Sequence, residues 1–367
     1  MPSRVTVWAV MSKLGELPRN LHAPRWEDPA LRPRVSKRAR RARRMLSWSV
    51  AVAGLSGCSG KQSALEPAGR GAEVIADLFW WMAGGTVVVW LGVAWLAMSA
   101  MRGRVSKQTE RQARLYIIGG GAVVPTVVLA GLLSYGLGGM PELIRPAPEG
   151  ALRVHVVGEQ WWWRVRYEVT EGEFVELANE VRLPVGRAVE FTLDSPDVIH
   201  SFWIPSLGGK MDMIPGRTTR LLLEPTKTGV FRGVCAEFCG DSHALMAFDV
   251  VVSEESEFDA WLAKERAAAR EPATEEEIAG REAFFANGCA ACHAVRGTEA
   301  VATIGPDLTH VGGRRTLGAG IMANDAEAFA RWITETDKVK PGVLMPHFGM
   351  LPREELGVLV AYLEGLE

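Results

Sequence analysis

Two stretches without a single charged side chain, residues 78–101 and 115–140, constrain this chain more than anything else in it. Each is long enough to cross the roughly 30 Å hydrocarbon core of a membrane as a helix of about 20 residues. A helix satisfies its own backbone hydrogen bonds, which lipid cannot do for it. Two buried core helices of a soluble protein are the alternative, but such helices rarely stay charge-free for so long. The short loop between the runs holds Arg102, Arg104, Lys107, Arg111 and Arg114, and basic residues in short loops favour the cytoplasmic side. Both outer ends then face the extracytoplasmic side, as does everything after the Pro-rich exit at 140–150.

Charge is unevenly spread. The first 44 residues hold 12 Lys or Arg against 3 Asp or Glu, which leaves the remainder at −11 within a chain total of −2. No domain therefore looks built for nucleic acid. Arg34 to Arg44 reads as the positive n-region of a signal peptide and Leu46 to Leu55 as its short apolar part. Leu55-Ser56-Gly57-Cys58 then resembles a bacterial lipoprotein signal-peptidase site, which makes 1–58 a leader and Cys58 a lipidated N-terminus; Met45 is an alternative start. Of the five cysteines, the other four form two close pairs, Cys235 with Cys239 and Cys289 with Cys292. In an exported region these read as two cofactor sites sooner than as a disulfide framework.

Composition shifts divide the rest into a helical hairpin at 70–145, a domain at 150–253, a linker at 254–273 and a last domain at 274–367. From Arg153 the period becomes two: Trp163, Val165, Tyr167 and Val169 alternate with Arg164, Arg166 and Glu168. The alternation recurs at Val189-Phe191-Leu193, at 220–223 and at Phe248-Val250-Val252, between Gly and Pro turns. That pattern predicts a small antiparallel sandwich. The Glu, Ala and Arg-rich stretch after it, interrupted by Pro272, reads as a flexible tether. Thr274 with Glu277 forms a capping box opening a helix to about Asn287, and Pro352 opens a final helix ending near Leu363. The fold class is multidomain: transmembrane hairpin, all-β sandwich, all-α domain.

Within the sandwich, Cys235-Ala236-Glu237-Phe238-Cys239-Gly240-Asp241-Ser242-His243-Ala244-Leu245-Met246 gathers two thiols, an imidazole and a thioether on one loop, and His200 lies upstream. Soft thiolate and thioether ligands suit copper, and Met is not a usual zinc ligand. Structural zinc and a Cys235–Cys239 disulfide are the competing uses of the same residues. A single blue-copper site needs one thiolate, so this set exceeds it by one. The stretch resembles the CuA motif of cytochrome c oxidase subunit II, whose copper domain has a cupredoxin-like Greek-key fold. The resemblance covers about 75–252. It implies two copper ions bridged by Cys235 and Cys239, with His200 and His243 each on one copper. Met246 and the Glu237 carbonyl are then weak outer ligands, and the Glu237 side chain faces a magnesium site shared with the catalytic subunit. Gly158-Glu159-Gln160-Trp161-Trp162-Trp163 resembles the family's aromatic patch, in which Trp161 matches the electron entry point; an aromatic-rich strand is also what plain core looks like. One departure stands out. Main-type members carry a carboxylate near the start of the second membrane helix, feeding a proton path, and here only Glu110 precedes that run.

Cys289-Ala290-Ala291-Cys292-His293 is a C-x-x-C-H sequence: two thiols for thioether links to haem c and an imidazole for its iron. A bare redox C-x-x-C is the other use of such a spacing. Met345 and Met350 are candidates for the sixth ligand, and Lys340-Pro341-Gly342-Val343-Leu344-Met345-Pro346 resembles the distal-ligand loop of small bacterial class I cytochromes c, which points to Met345. Gly305-Pro306-Asp307-Leu308 and Trp332 resemble positions that pack on the haem; His310 and His347 could reach a propionate or be ordinary loop histidines.

Together the resemblances imply a two-pass subunit of a respiratory terminal oxidase in the bacterial cytoplasmic membrane, with its copper and haem domains outside. Electrons would enter from a cytochrome c type donor or an upstream respiratory complex at haem c, pass to CuA, and leave to a separate catalytic subunit I that reduces oxygen. A CuA-bearing nitric oxide reductase would use the same input domain, and a copper-handling lipoprotein would use the copper ligands but not the haem motif.

Overall fold

Charge-free sequence becomes outward-facing helix. In the computed structural model, which describes residues 59–102, 109–143 and 145–367, helix α1 (Arg70–Met101) contains the first apolar run. The short α2 (Glu110–Arg114), a π-helical stretch (Leu115–Val123) and α3 (Val124–Leu143) carry the second as one continuous rod. The π-helical widening ends just before Pro125, whose missing N–H breaks the ordinary helical ladder at that level. Only 6% of one apolar window and none of the other is buried, so these are not the core helices of a soluble fold. Large side chains such as Trp81 (73% exposed) and Trp90 (66%) face outward, as lipid-facing residues do. The leader, Cys58, Arg104 and Lys107 lie outside the described residues.

The start of α1 is seated on the β domain. Ala72 donates its N–H to the Leu207 carbonyl (3.2 Å) and Arg70 to that of Glu224 (3.0 Å), and a side chain at Gly69 would collide with Leu207. Alternating apolar residues then build β1 (Leu152–Glu159), β2 (Trp162–Thr170), β3 (Glu173–Ala178), β4 (Glu180–Pro184), β5 (Val189–Asp194), β6 (His200–Trp203), β7 (Met211–Met213), β8 (Thr219–Leu223), β9 (Gly229–Cys235) and β10 (Ala247–Ser253). One sheet runs β3-β2-β1-β5-β8 and the other β4-β10-β9-β6-β7. Each contains one parallel pairing, β1 with β5 and β4 with β10, so the sandwich is mixed where alternation alone predicted an antiparallel one. A period of two is blind to strand direction. The core between the sheets is aromatic: Trp163, Phe202 and Phe248 pack with ring centroids 4.8–5.6 Å apart.

The stretch read as a flexible tether is ordered. Helix α4 (Glu255–Arg266) buries Phe258 against the sandwich, with Tyr167 and Trp261 around it. Beyond it Ala269 N–H meets the Arg296 carbonyl (2.9 Å), and His310 Nε2 reaches the Ala267 carbonyl (3.1 Å). Four helices follow: α5 (Glu275–Ala286), α6 (Ala326–Thr334), α7 (Thr336–Val339) and α8 (Arg353–Gly365), with a small hairpin of β11 (Thr316–Leu317) and β12 (Met322–Ala323). Thr274 caps α5 by accepting from Glu277 N–H (3.1 Å). The return half of the capping box is absent, because the Glu277 carboxylate instead accepts from Ala273 N–H and from both arms of Arg270.

Helices α5 and α8 cross at Gly280, where an added Cβ would stand 2.0 Å from the Val358 carbonyl oxygen. Gly280→Ala should therefore lower stability by about 1–3 kcal/mol or more, whereas Gly357→Ala, on open helix surface, should raise it by up to about 1 kcal/mol; denaturant unfolding compares the two. The Arg270 guanidinium and the Ala273 N–H hold the Glu277 carboxyl down at about 2. A carboxylate held below its unfolded value of about 4.3 stabilises the fold above that pH and stops doing so as pH falls. Glu277→Gln should thus be less stable than the parent at neutral pH, by under about 1 kcal/mol for so exposed a pair, with the gap closing between about pH 4 and pH 2 in acid titrations.

Candidate functional site

Cys235 ends β9, and β-pairing of Phe202 with Cys235 brings β6, and His200 at its start, alongside it. The loop then turns back into β10 through Cys239, His243 and Met246. The Cys235 and Cys239 sulfurs lie 3.8 Å apart, well beyond a disulfide, and both thiols are free. His200 Nδ1 is 3.8 Å from the Cys235 sulfur, His243 Nδ1 is 3.5 Å from that of Cys239, and the Met246 sulfur is 3.8 Å from it. The Glu237 carbonyl oxygen lies 3.2 Å from the Cys235 sulfur, while its side chain is exposed. Every donor predicted for this loop is thus within one shared space, and His200, Cys235 and Cys239 are buried.

The local field favours a thiolate at Cys235 and a thiol at Cys239. Hydrogen bonding from Cys239, working against burial and helped by His200 and backbone groups, holds Cys235 well below the ordinary thiol value. Cys239 is pushed far upward by that same contact and by burial. Burial opposes a charged His200, but the Asp197 carboxylate and the Cys235 thiol outweigh it and raise the ring to about 9. Asp197 accepts from Nε2 of His200 at 2.9 Å, which leaves Nδ1 aimed at the sulfurs. Gly158 packs tightly beside it: a Cβ there would stand 3.1 Å from the imidazole, closer than ordinary contact. Two soft sulfurs, a thioether and two ring nitrogens form a donor set that fits copper better than zinc.

Trp161 sits against this loop. Its indole N–H and the Gln160 amide both donate to the Cys239 carbonyl, at 2.9 and 2.7 Å. Gly240 (φ +115°) lies under the ring, where a Cβ would come within 2.9 Å. From the other side comes Gly342 of the C-terminal domain, a Cβ on which would stand 2.7 Å from the same ring. Trp161 is accordingly only 6% exposed. It belongs to the hydrophobic core cluster and also makes a specific contact to the thiol loop.

The second donor set surrounds a pocket lined by apolar side chains, among them Phe284, Leu308, Phe348 and Leu359, with Cys289, His293 and Met345 at its walls. Gly288 (φ +74°) turns the chain out of α5 into the short 3₁₀ turn Cys289–Ala291. His293 places Nδ1 2.8 Å from the Pro306 carbonyl, and burial keeps the ring neutral by pulling it below the ordinary histidine value. A neutral ring that donates from Nδ1 presents Nε2 as a bare ligand atom. The ring lies so close to Gly305 that a Cβ there would touch it at 2.7 Å. Met345 lines the pocket; Met350 is 74% exposed and does not. Leu308 lines it too, whereas Trp332 packs near Gly318 and its neighbour Ile333 faces the pocket. His310 is a buried clasp between the Glu367 and Ala267 carbonyls, and His347 stays exposed near Asp337. These residues fit a covalently attached haem.

The sequence pattern did not single out Asp197, Gly158, the Pro306 carbonyl or Lys340: Asp197 braces a ring three residues along the chain, Gly158 and Lys340 act on partners distant in the chain, and Pro306 acts through its backbone. Glu110, the only carboxylate between the two apolar runs, pairs with Arg114 at 2.7 Å.

Comparison with known proteins identifies the two domains that carry these donor sets. The family described as cytochrome c oxidase subunit II, periplasmic domain, matches residues 167–254, and the cytochrome c family matches 278–367. The chain is similar to cytochrome c oxidase subunit 2 of Alkalihalophilus pseudofirmus, with 35% identity over 89% of this chain and 97% of that one. It is 32% identical to the subunit of the same name from a Bacillus species, over 72% of this chain and 77% of that one. Among solved structures, the periplasmic domain of subunit II of the Bradyrhizobium japonicum cytochrome oxidase covers 33% of this chain and 97% of its own, at 31% identity and a TM-score of 0.31. The first family implies copper and the second haem c, in agreement with the two donor sets. The chain belongs to the cytochrome c oxidase subunit II family, and as a subunit of that oxidase it carries a cytochrome c domain behind its copper domain.

Proposed function

We propose that this chain is the electron-input subunit of a terminal oxidase in a bacterial cytoplasmic membrane. It takes electrons from a cytochrome c type donor, or an upstream respiratory complex, at haem c and delivers them through a binuclear CuA centre to catalytic subunit I, where oxygen is reduced to water. The observation that carries this reading is the meeting of the two donor sets on one tryptophan: Trp161 is hydrogen-bonded to the Cys239 carbonyl and covered by Gly342, three residues before Met345.

When bound, copper and haem supply one-electron storage; the rest is the work of side chains. Cys235 and Cys239 would bridge two coppers, with His200 and His243 as imidazole ligands and Met246 and the Glu237 carbonyl as weak ones. Asp197 fixes the His200 ring, so little has to move when the charge on the site changes. Cys289 and Cys292 would tether haem, and His293, through Nε2, and Met345 would be the ligands to its iron. The exposed Glu237 carboxylate is available for a magnesium shared with the catalytic subunit. Trp161, covered by this chain's own haem domain, serves as an internal contact between the centres, not as a landing point for an outside protein.

The purified copper-loaded, haem-matured oxidase should show a mixed-valence signal with one electron shared over two coppers, next to a low-spin His/Met haem c. Cys239→Ser should abolish the shared signal and leave the haem spectrum unchanged. A mononuclear copper signal in the parent, or reduction of copper by an external cytochrome c while haem c stays oxidised, would overturn the reading.

A further inference from the structure

Lys340 is one of the most deeply buried charged residues described, at 2% exposure, and no carboxylate meets it. Its Nζ donates to two backbone carbonyls, Leu245 on the copper loop and Gly318 in the cytochrome domain, each at 2.9 Å. The first acceptor adjoins Met246. The second lies in the turn whose Ala319 carbonyl receives Ala247 N–H (3.1 Å) and whose Gly320 carbonyl receives Arg232 (2.8 Å). The next residue, Pro341, accepts from the Ser242 hydroxyl at 2.6 Å, again on the copper loop. Gly342 then presses on Trp161, and Met345 enters the haem pocket. Six consecutive residues thus run from a fastening on one site to a ligand position of the other.

A lone amine among carbonyls is an expensive choice for a stretch that needs only to be packed, because its desolvation must be met by well-formed hydrogen bonds. Burial draws the ammonium down to about 7, and the group can donate to both carbonyls whether charged or neutral. The geometry points to Lys340 as a positioning residue: with Ser242 it latches the haem-ligand loop onto the copper loop, so that the cytochrome domain works from a fixed pose in which Gly342 rests on Trp161. This rests on the electron-input reading above, in which one electron leaves the haem side as one arrives at copper.

The test uses the complete oxidase with Lys340→Met, which keeps the bulk and loses the donors, and Ser242→Ala. Amide hydrogen exchange of the segments 240–246 and 316–323 should speed up tenfold or more in Lys340→Met and less in Ser242→Ala, with α5 and α8 unchanged. After laser-flash injection of one electron onto haem c, transfer to copper should slow at least tenfold in Lys340→Met, while both optical spectra keep their parent form. Unchanged exchange in both segments overturns the latch. Faster exchange of 240–246 alone, with loss of the copper spectrum, also overturns it, since Lys340 would then support only the copper loop. Absence of haem-to-copper transfer in the unmodified protein would instead sink the electron-input reading, leaving exchange to decide the latch.

Discussion

Two thiols 3.8 Å apart at the end of a strand are an unstable arrangement unless something else fixes them, since in an oxidising compartment they can close into a disulfide. Here the loop that carries them is fixed from three directions. Strand pairing of β6 and β9 sets Cys235 beside His200. Hydrogen bonds from Trp161 and Gln160 converge on the Cys239 carbonyl. Lys340 and Ser242 tie the return of the loop to the haem domain. The two donor sets are therefore parts of one packing problem: the loop proposed to hold copper is also the floor on which the proposed haem-ligand loop lies.

The same logic explains the polar surface between the domains. Arg164, on the face of β2 that alternation assigns to solvent, is 5% exposed and spans Glu159, Glu176 and the Thr303 carbonyl. Arg296 joins Asp307 to the Glu176 and Glu265 carbonyls, and Thr316 binds the buried Asp249. Such a seam is costly to half-fill, because a buried charge without its partner is worse than an apolar contact. It specifies one docking register more strongly than it adds to stability.

Much of this was legible in the sequence, for a physical reason. Donors that share a loop must be close in the chain, so the candidate sets Cys235 to Met246 and Cys289 to His293 stand out, and lipid solvation writes itself as long charge-free runs. Strand periodicity likewise located β5, β8 and β10. What stayed hidden depends on partners far away in sequence: the parallel pairings of β1 with β5 and β4 with β10, and above all the seam. A charged residue on a strand reads as solvated until the domain that covers it is in place, and a Glu, Ala and Arg-rich segment reads as a tether until Phe258 finds its pocket.

That last difference changes how the fusion is understood. A flexible tether raises effective concentration, and its benefit falls as the linker lengthens. A docked domain removes the search altogether, at the expense of committing the copper domain's aromatic face to its own cytochrome. In this chain α4 is packed, the residues after it are hydrogen-bonded to Arg296 and His310, and Trp161 is already covered. On the electron-input reading proposed above, the surface left for an outside donor is that of the cytochrome domain, where Leu344 and Met350 stand 89% and 74% exposed beside the Met345 loop. On that proposed reading, the covalent fusion would move the point of entry outward from the copper domain to the haem domain and make the inner transfer a matter of packing.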